Sequence, residues 1–213
     1  MKKSKLLKDR MFTYSLGDLT IKLRNLPVHA ESESNDSQQA AVSLIVVETE
    51  SGLQLLLIQK AQRKGDLWSG QMAFPGGHKE PQDKTLLDTA IRETQEEVGI
   101  ELHHDTCVAQ LTRCAPLKRR LPLLVTPYVF ASSLIPSITM NHEVSDYIWV
   151  SLDVLTNHDY LHFQKVQFDQ GVVEVPGFLL PSGQFIWGLT FRIIRSFIEI
   201  VERDTFSTND KIQ

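Results

Sequence analysis

A short amphipathic segment directly after a double glycine constrains the fold of this chain most strongly. Between residues 84 and 98, apolar side chains recur at a spacing of three to four, which predicts a helix with one apolar side. Glu93, Glu96 and Glu97 share another face of this helix, because i+3 and i+4 neighbours lie together. Gly99 is suited to end it. The predicted packing side consists of Leu86, Leu87, Ala90, Ile91 and Val98. Since that side packs on a core, the three carboxylates point in a fixed direction.

Two apolar runs precede the helix and predict the centre of a sheet. Residues 41–48 and 53–61 are almost continuously apolar and are separated by the turn-forming sequence "TESG". Such runs are typical of neighbouring strands that are covered on both faces. Further strands are predicted at 107–113, 122–131 and 145–150, with a short helix at 151–155 and a long amphipathic helix at 186–202. The apolar stripe of the last helix is Trp187, Phe191, Ile194, Phe197, Ile198 and Val201. The order predicts an α/β fold with a mixed sheet between helices.

The 213 residues suit one domain with an appendage. Residues 1–39 are predicted to be a basic N-terminal segment followed by the polar linker "ESESNDSQQ", residues 40–205 the main domain, and residues 206–213 a tail. Residues 1–30 carry seven Lys or Arg against two Asp. We expect a short helix there and a turn near Pro27. Few aromatics and an uneven apolar pattern favour a helix packed on the core, or a frayed tail, over a surface for membrane or nucleic acid.

Composition excludes several classes of function. The formal net charge is -4, which gives no overall signal for nucleic-acid binding. No apolar run approaches the roughly 20 residues of a membrane span, and no apolar run follows the basic N-terminus as in a secretory signal. Cys107 and Cys114 are too few for a disulfide framework. We therefore expect a cytoplasmic protein without nucleic-acid or membrane partners.

The three glutamates have two explanations. Like charges at this spacing cost only a few tenths of a kcal/mol per pair, so a solvated acidic face is possible. A metal site is favoured by the double glycine nearby, because glycine permits close backbone approach and the carbonyl of Gly77 or its neighbour can face the same ion. Arg92 can fix the rotamer of a carboxylate. Oxygen ligands suit Mg²⁺ or Mn²⁺. The chemistry this indicates is metal-assisted attack of water on a phosphoanhydride.

The sequence "GGHKEPQDKTLLDTAIRETQEEVGI" resembles the Nudix box, which ends R-E-x-x-E-E-x-G followed by an apolar residue. The matching residues are Arg92, Glu93, Glu96, Glu97, Gly99 and Ile100. In the front half, the usual acid eight residues before the Arg is replaced by Lys84, and Asp83 stands nine residues before it. The resemblance implies an α/β/α sandwich. It also implies that Glu93, Glu96 and Glu97 hold metal, and that one of them, with Glu96 as the first candidate, orients or deprotonates the water.

"FPGG" and the longer box resemble the coenzyme A pyrophosphatase branch of the Nudix hydrolases. Upstream, "LLIQKA" corresponds to the branch pattern L-L-T-x-R-[S/A], with Ile58 in place of Thr and Lys60 in place of Arg. The branch implies hydrolysis of coenzyme A or acyl-coenzyme A to 3′,5′-ADP and a 4′-phosphopantetheine. One alternative is a Nudix hydrolase of ADP-ribose, dinucleotides or other nucleoside diphosphate derivatives. Another is a Nudix-fold binding module without turnover, which the three retained glutamates argue against.

Further residues are candidates for substrate contact. Arg119 and Arg120 follow Lys118 in a basic run that is either a solvated hairpin tip or a clamp for the 3′-phosphate of coenzyme A. Glu143 is a candidate for an additional acid or base from outside the box. The partner expected is a nucleotide substrate, and the chain is a candidate homodimer. The remaining substrate-binding candidates are Lys60, Arg63, Phe74, Gly76 and Gly77.

Overall fold

The computed structural model describes residues 14–26, 38–64, 68–116, 123–168 and 171–203. The helices are α1 (Leu16–Arg24), α2 (Leu86–Val98), α3 (Leu152–Thr156) and α4 (Gly188–Glu202). Strands β1 to β5 are Gln38–Thr49, Gly52–Lys60, Met72–Ala73, Gly76–His78 and Cys107–Gln110. Strands β6 to β10 are Leu123–Ser132, Val144–Ser151, Leu161–Phe168, Gly171–Leu179 and Phe185–Trp187. Single 3₁₀ turns lie at His104–Thr106 and His158–Tyr160.

The main sheet is mixed, as predicted. β1 pairs in parallel with β6, whereas β2 pairs antiparallel with both β1 and β7, and β5 pairs antiparallel with β6. The β1–β2 pairing covers only Val46–Thr49 of β1. Farther along, β4 takes over the pairing with β1 and β3 pairs with β2. The sheet therefore splits, and the glycine turn fills the split.

Two hydrophobic cores lie on opposite faces of this sheet. Leu86, Ala90 and Val98 of α2 pack with Ile45 and Leu56 on one face. On the other face, residues of α1, α3 and α4 pack with alternate residues of the same strands. The burial of β1 and β2 on both faces explains their nearly unbroken apolar runs. The architecture is the predicted α/β/α sandwich with a mixed sheet.

Local sequence signals set the ends of α2. Thr85 accepts from the backbone N–H of Asp88, and the Asp88 carboxylate accepts from the backbone N–H of Thr85, forming a capping box. Gly99 ends the helix at φ 71. The helix begins at Leu86 rather than at residue 84, because Thr85 has the extended backbone of an N-cap.

The structure corrects one expectation about the C-terminal part and adds a hairpin that the sequence analysis did not predict. The last helix begins at Gly188, and Trp187, which was predicted to lie on its apolar stripe, belongs to β10. Gly188 has φ 66, which separates the strand from the helix. The hairpin of β8 and β9 was not predicted at all. Its alternating pattern is visible in "LHFQKVQF", but polar residues dilute the apolar signal.

The N-terminal helix packs on the core, as expected. Leu19 and Leu23 of α1 are each 1 % exposed and belong to the core shared with α4. Lys22 Nζ donates to the carbonyls of Val201 and Arg203 at the end of α4, where a positive charge is favourable. Pro27 and most of the polar linker lie outside the described residues. Within the described ranges, none of the helices combines the length and the apolar character that crossing a membrane requires.

Candidate active site

The glycine turn is held against β1 at the split in the sheet. The backbone N–H of Ser43 donates to the Pro75 carbonyl at 2.8 Å. Gly76 has φ 153, and a Cβ atom there would lie 2.3 Å from the Ala41 carbonyl oxygen. A Cβ atom at Gly77 would lie 2.4 Å from the Glu93 carboxyl group. Gly76 therefore needs glycine for its φ and for its approach to the backbone of β1, whereas a side chain at Gly77 would displace the Glu93 carboxylate.

The ladder between β4 and β1 indicates where the glycine carbonyls point. Hydrogen bonds join Ser43 to Pro75 and Lys79 to Gln39, two residues on either side of the Ala41–Gly77 pair. Because paired residues in an antiparallel ladder alternate, Gly77 occupies a hydrogen-bonded position facing β1. Gly76 occupies a position that is not hydrogen-bonded to β1, and its N–H donates to Glu97 Oε2 at 2.9 Å instead. The sequence left open whether the Gly77 carbonyl or that of a neighbour faces the carboxylates. The register of β4 with β1 indicates the Gly76 carbonyl.

Arg92 connects the acidic side chains of the site with the glycine strand. Its Nε and Nη2 atoms donate to the two oxygens of Asp83 at 3.0 and 2.9 Å, a two-pronged contact. Nη2 also donates to the His78 carbonyl at 3.1 Å, which ties the helix to the glycine strand. The Arg92 guanidinium lowers the pKa of Asp83 to about 2, and Asp83 in turn raises the pKa of Arg92. Thr89 donates a further hydrogen bond to Asp83 at 2.9 Å.

Arg92 also orients two carboxylates of the acidic face. Its Nη1 atom donates to Glu93 Oε1 at 3.0 Å and to Glu96 Oε2 at 3.1 Å. The Glu93 side chain is only 15 % exposed, whereas that of Glu96 is 55 % exposed. Burial raises the pKa of Glu93 above its usual value, although Arg92 opposes this shift. Glu93 therefore lies at the wall of the site and Glu96 at its mouth.

Glu97 is buried beneath the other two. Its side chain is 1 % exposed and forms an ion pair with Lys60 Nζ at the end of β2. One oxygen accepts from Lys60 and the other from the Gly76 N–H. Burial raises the pKa of Glu97, and Lys60 is the largest influence in the opposite direction. Sequence spacing found Glu97, but its partner Lys60 stands 37 positions away.

A loop outside the helix places a further carboxylate beside Glu97. The backbone N–H of Asn141 donates to the Glu97 carbonyl at 3.0 Å, and Asn141 Oδ1 accepts from the Glu143 N–H at 2.7 Å. The Glu143 carbonyl accepts from the Ala61 N–H at 2.8 Å. Its side chain pairs with Arg63 Nη1 at 3.0 Å. The negative charge of Glu143 contributes, less than burial does, to raising the pKa of Glu97.

A family model of the NUDIX domain matches residues 37–171 of the chain. The protein belongs to the Nudix family. Two relatives, each called "Uncharacterized Nudix hydrolase NudL", come from Yersinia pestis (strain Pestoides F) and Yersinia pseudotuberculosis serotype O:1b. Each is 33% identical over 180 residues, which cover 83% of this chain and 86% of the relative. The protein is thus a Nudix hydrolase that acts on phosphoanhydride bonds.

The fold agrees with this assignment. A MutT/nudix family protein from Enterococcus faecalis superposes with a TM-score of 0.54 over 88% of this chain and 70% of that protein. The two sequences are 18% identical, so the likeness concerns the fold alone. It supports the mixed sheet with helices on both sides.

Nudix hydrolases generally use divalent metal ions, and the donor chemistry of this site fits one. Two cations, Arg92 and Lys60, lie within 4.0 Å of five carboxylates, so the network has an excess of three negative charges. The carboxylates are those of Glu80, Asp83, Glu93, Glu96 and Glu97. Every candidate donor is an oxygen, which suits a hard cation. In the part of the chain that the structure describes, no three carboxylate, imidazole or thiolate groups could hold one ion together as they stand. The arrangement explains this, since Glu97 faces Lys60 while Glu93 and Glu96 face Arg92.

The structure brings most of the predicted site residues together, with three exceptions. Phe74 is 3 % exposed and packs in the core, so it supports the turn from below. Arg119 and Arg120 lie outside the described residues. Asp83 was not proposed as a site residue, yet it holds Arg92. The signal that could have found it is its interval from Gly77, five residues as in the box.

Proposed function

We propose that this Nudix hydrolase uses Mg²⁺ or Mn²⁺ to cleave the diphosphate of coenzyme A or acyl-coenzyme A. The products would be 3′,5′-ADP and a 4′-phosphopantetheine. The observation that carries the proposal is the packing of the Gly76–Gly77 turn against Glu93 and Glu97. This contact joins a backbone suited to approach a phosphate with carboxylates suited to hold a hard cation.

The residues divide into supporting and reacting groups. Asp83 fixes Arg92, and Arg92 sets the rotamers of Glu93 and Glu96. The proposed metal ligands are the carboxylates of Glu93, Glu96 and Glu97. The carbonyl of Gly76, or that of Gly77, is the remaining proposed protein ligand. When bound, the divalent ion supplies positive charge that polarises the diphosphate and lowers the pKa of water.

Two carboxylates are candidates for orienting the attacking water. Glu96 is the more exposed member of the helix cluster, at 55 %. Glu143 is 38 % exposed and stands on a loop fixed by Asn141 and Ala61. Replacing each by Gln and recording kcat against pH separates them. The residue that removes the water proton is the one whose loss abolishes the acidic limb of the profile.

The choice of coenzyme A rests on the resemblance of "FPGG" and the lengthened box to that branch. The two departures upstream have different consequences. Ile58 is fully buried, so the change from Thr does not alter a surface that substrate could contact. Lys60 replaces an arginine and points at Glu97. We propose Lys60, Arg63 and the glycine turn as the diphosphate-binding side, and Arg119 with Arg120 as readers of the 3′-phosphate.

A panel of substrates tests this proposal. Coenzyme A, dephospho-coenzyme A, ADP-ribose, NADH and dinucleotides are incubated in Mg²⁺, in Mn²⁺ and in excess EDTA, and the products are identified by mass. We expect coenzyme A to be cleaved fastest and only with metal. Replacing Arg119 and Arg120 together by Ala should erase its advantage over dephospho-coenzyme A. Faster cleavage of ADP-ribose or a dinucleotide would move the protein to the alternative substrate class, and no cleavage of any compound would favour a binding module.

Two further proposals concern the cellular location and the oligomeric state of the protein. Cys107 and Cys114 are free thiols, which agrees with the cytoplasmic location expected from the sequence. A homodimer is a candidate assembly, and light scattering across a range of protein concentrations tests it.

A further inference from the structure

Lys60 forms an unusually enclosed contact with the carboxylate at the bottom of the site. The Lys60 side chain is 20 % exposed, and that of Glu97 is 1 % exposed. Lys60 holds one carboxylate oxygen, while the Gly76 N–H holds the other. Both oxygens of Glu97 are therefore occupied by donors of this chain. Glu93 and Glu96 are held less fully, because each accepts a hydrogen bond from the same atom, Arg92 Nη1.

This arrangement conflicts with a fixed role for Lys60. An ammonium group held at one oxygen of Glu97 repels a divalent ion at the same carboxylate, so the two cations compete for Glu97. Arg92 can stay in place, because Asp83 and the His78 carbonyl retain it. Lys60 is the cation with freedom to leave, since its charge stands at the end of a flexible four-carbon stem.

We propose that Lys60 is an exchangeable counter-ion, which neutralises Glu97 until metal binds and then transfers to the diphosphate of the substrate. The proposal rests on the proposed function. Arg63 stands three residues farther along the same segment and makes a more exposed pair with Glu143. Both cations of this segment thus cover carboxylates, and the negative charge of a diphosphate would offer each a new partner. Lys60 is accordingly a positioning residue for Glu97 before metal binds and a substrate-binding residue afterwards.

The exchange has a consequence that a purely structural lysine would not have. Removing the ammonium group should strengthen metal binding, because the competitor for Glu97 is gone and one positive charge near the ion is lost. The same change should weaken binding of a diphosphate once metal is present. If Lys60 merely oriented Glu97, its removal would instead weaken metal binding, because Glu97 would be misplaced.

The test measures Mn²⁺ binding by calorimetry, in wild type, Lys60→Met and Lys165→Met, at pH 8.5 so that the carboxylates are ionised. Lys165 is an exposed residue of β8, so its replacement changes the net charge equally without touching the site. We expect the Mn²⁺ Kd to fall about tenfold in Lys60→Met and to change less than about twofold in Lys165→Met. With Mn²⁺ saturating, the Kd for α,β-methylene-ADP should rise about tenfold in Lys60→Met alone.

The outcomes separate this inference from the proposed function. Wild type that binds no Mn²⁺ would overturn both. Wild type that binds Mn²⁺, together with a Lys60→Met protein that binds it equally or more weakly, would overturn only the exchange. Thermal unfolding verifies that each variant is folded, and Lys60→Gln replaces Lys60→Met if the latter does not fold.

Discussion

The segment from the glycine turn through α2 and the hairpin of β8 and β9 are built on different principles. In the first, each charged side chain that faces the site has a partner, and Arg92 alone contacts Asp83, Glu93, Glu96 and a backbone carbonyl. In the second, eight residue pairs form a backbone ladder, the base packs in the core, and Phe168 at the tip contacts the Trp187 ring edge-on. Phe178 at that base is 2 % exposed, whereas Phe163 nearer the tip is 66 % exposed.

This difference predicts which substitutions should change stability most. A two-stranded ribbon gains little stability from its exposed part. An enclosed ion-pair network is sensitive to substitution, because removing one member leaves other buried charges without compensation. We therefore expect large effects of single substitutions around Arg92 and small effects in the distal hairpin.

The largest effect on stability should follow Arg92→Met. The substitution leaves Asp83 and Glu93 without their cation, and breaking a buried pair in this way costs about 3–5 kcal/mol. Calorimetry should show a decrease in Tm of about 10 °C. The control is Arg195→Met, since the 3.7 Å pair of Arg195 with Glu199 lies on an exposed helix face and contributes at most about 0.5 kcal/mol. Equal losses in the two variants would show that the network around Arg92 is no more stabilising than a surface pair.

A smaller effect, with a defined pH dependence, should follow Asp83→Asn. Arg92 lowers the pKa of the Asp83 carboxyl from 3.8 to about 2, so the pair stabilises the fold above about pH 4 and loses this contribution as pH falls towards 2. At pH 7 the variant should lose about 2 kcal/mol of unfolding free energy in urea. The difference from wild type should shrink steadily below pH 4. A difference that stays constant between pH 7 and pH 2 would assign the loss to something other than this ionisation.

The smallest effect should follow Phe163→Ser in the hairpin. Because Phe163 is largely exposed, its replacement should change the unfolding free energy by less than about 0.5 kcal/mol and leave kcat unchanged. Urea unfolding at two protein concentrations provides the measurement. A loss above about 1 kcal/mol that depends on protein concentration would mean that this face is covered in solution, and the comparison between the two regions would then need revision.

The sequence predicted the helix that carries the three glutamates but missed the hairpin, and the reason is physical. The spacing of Glu93, Glu96 and Glu97 on one helix is a local property, and their shared face follows from helix geometry. The partnership of Glu97 with Lys60 depends on the register between distant elements, which spacing along the chain does not contain. In the hairpin, alternation was masked because Gln164 and Lys165 occupy positions that a buried strand would fill with apolar residues.

The placement of Trp187 in a strand instead of a helix illustrates the same limit. Its neighbours Ile186 and Phe191 suit either periodicity, and the positive φ of Gly188 decides where the strand stops. A glycine inside an apolar pattern is compatible with both a helix and a strand end. Tertiary pairing with Gly177 of β9 makes Trp187 part of the sheet.

The most direct test of the central claim, that the carboxylates of α2 perform phosphoanhydride hydrolysis, is kcat of Glu97→Gln in saturating Mg²⁺. Gln keeps the volume and can still accept from the Gly76 N–H, but it lacks the charge that binds metal. The variant should keep the far-ultraviolet circular dichroism of wild type and lose about a thousandfold or more in kcat on the best substrate of the panel. A folded Glu97→Gln protein with wild-type kcat would contradict the account.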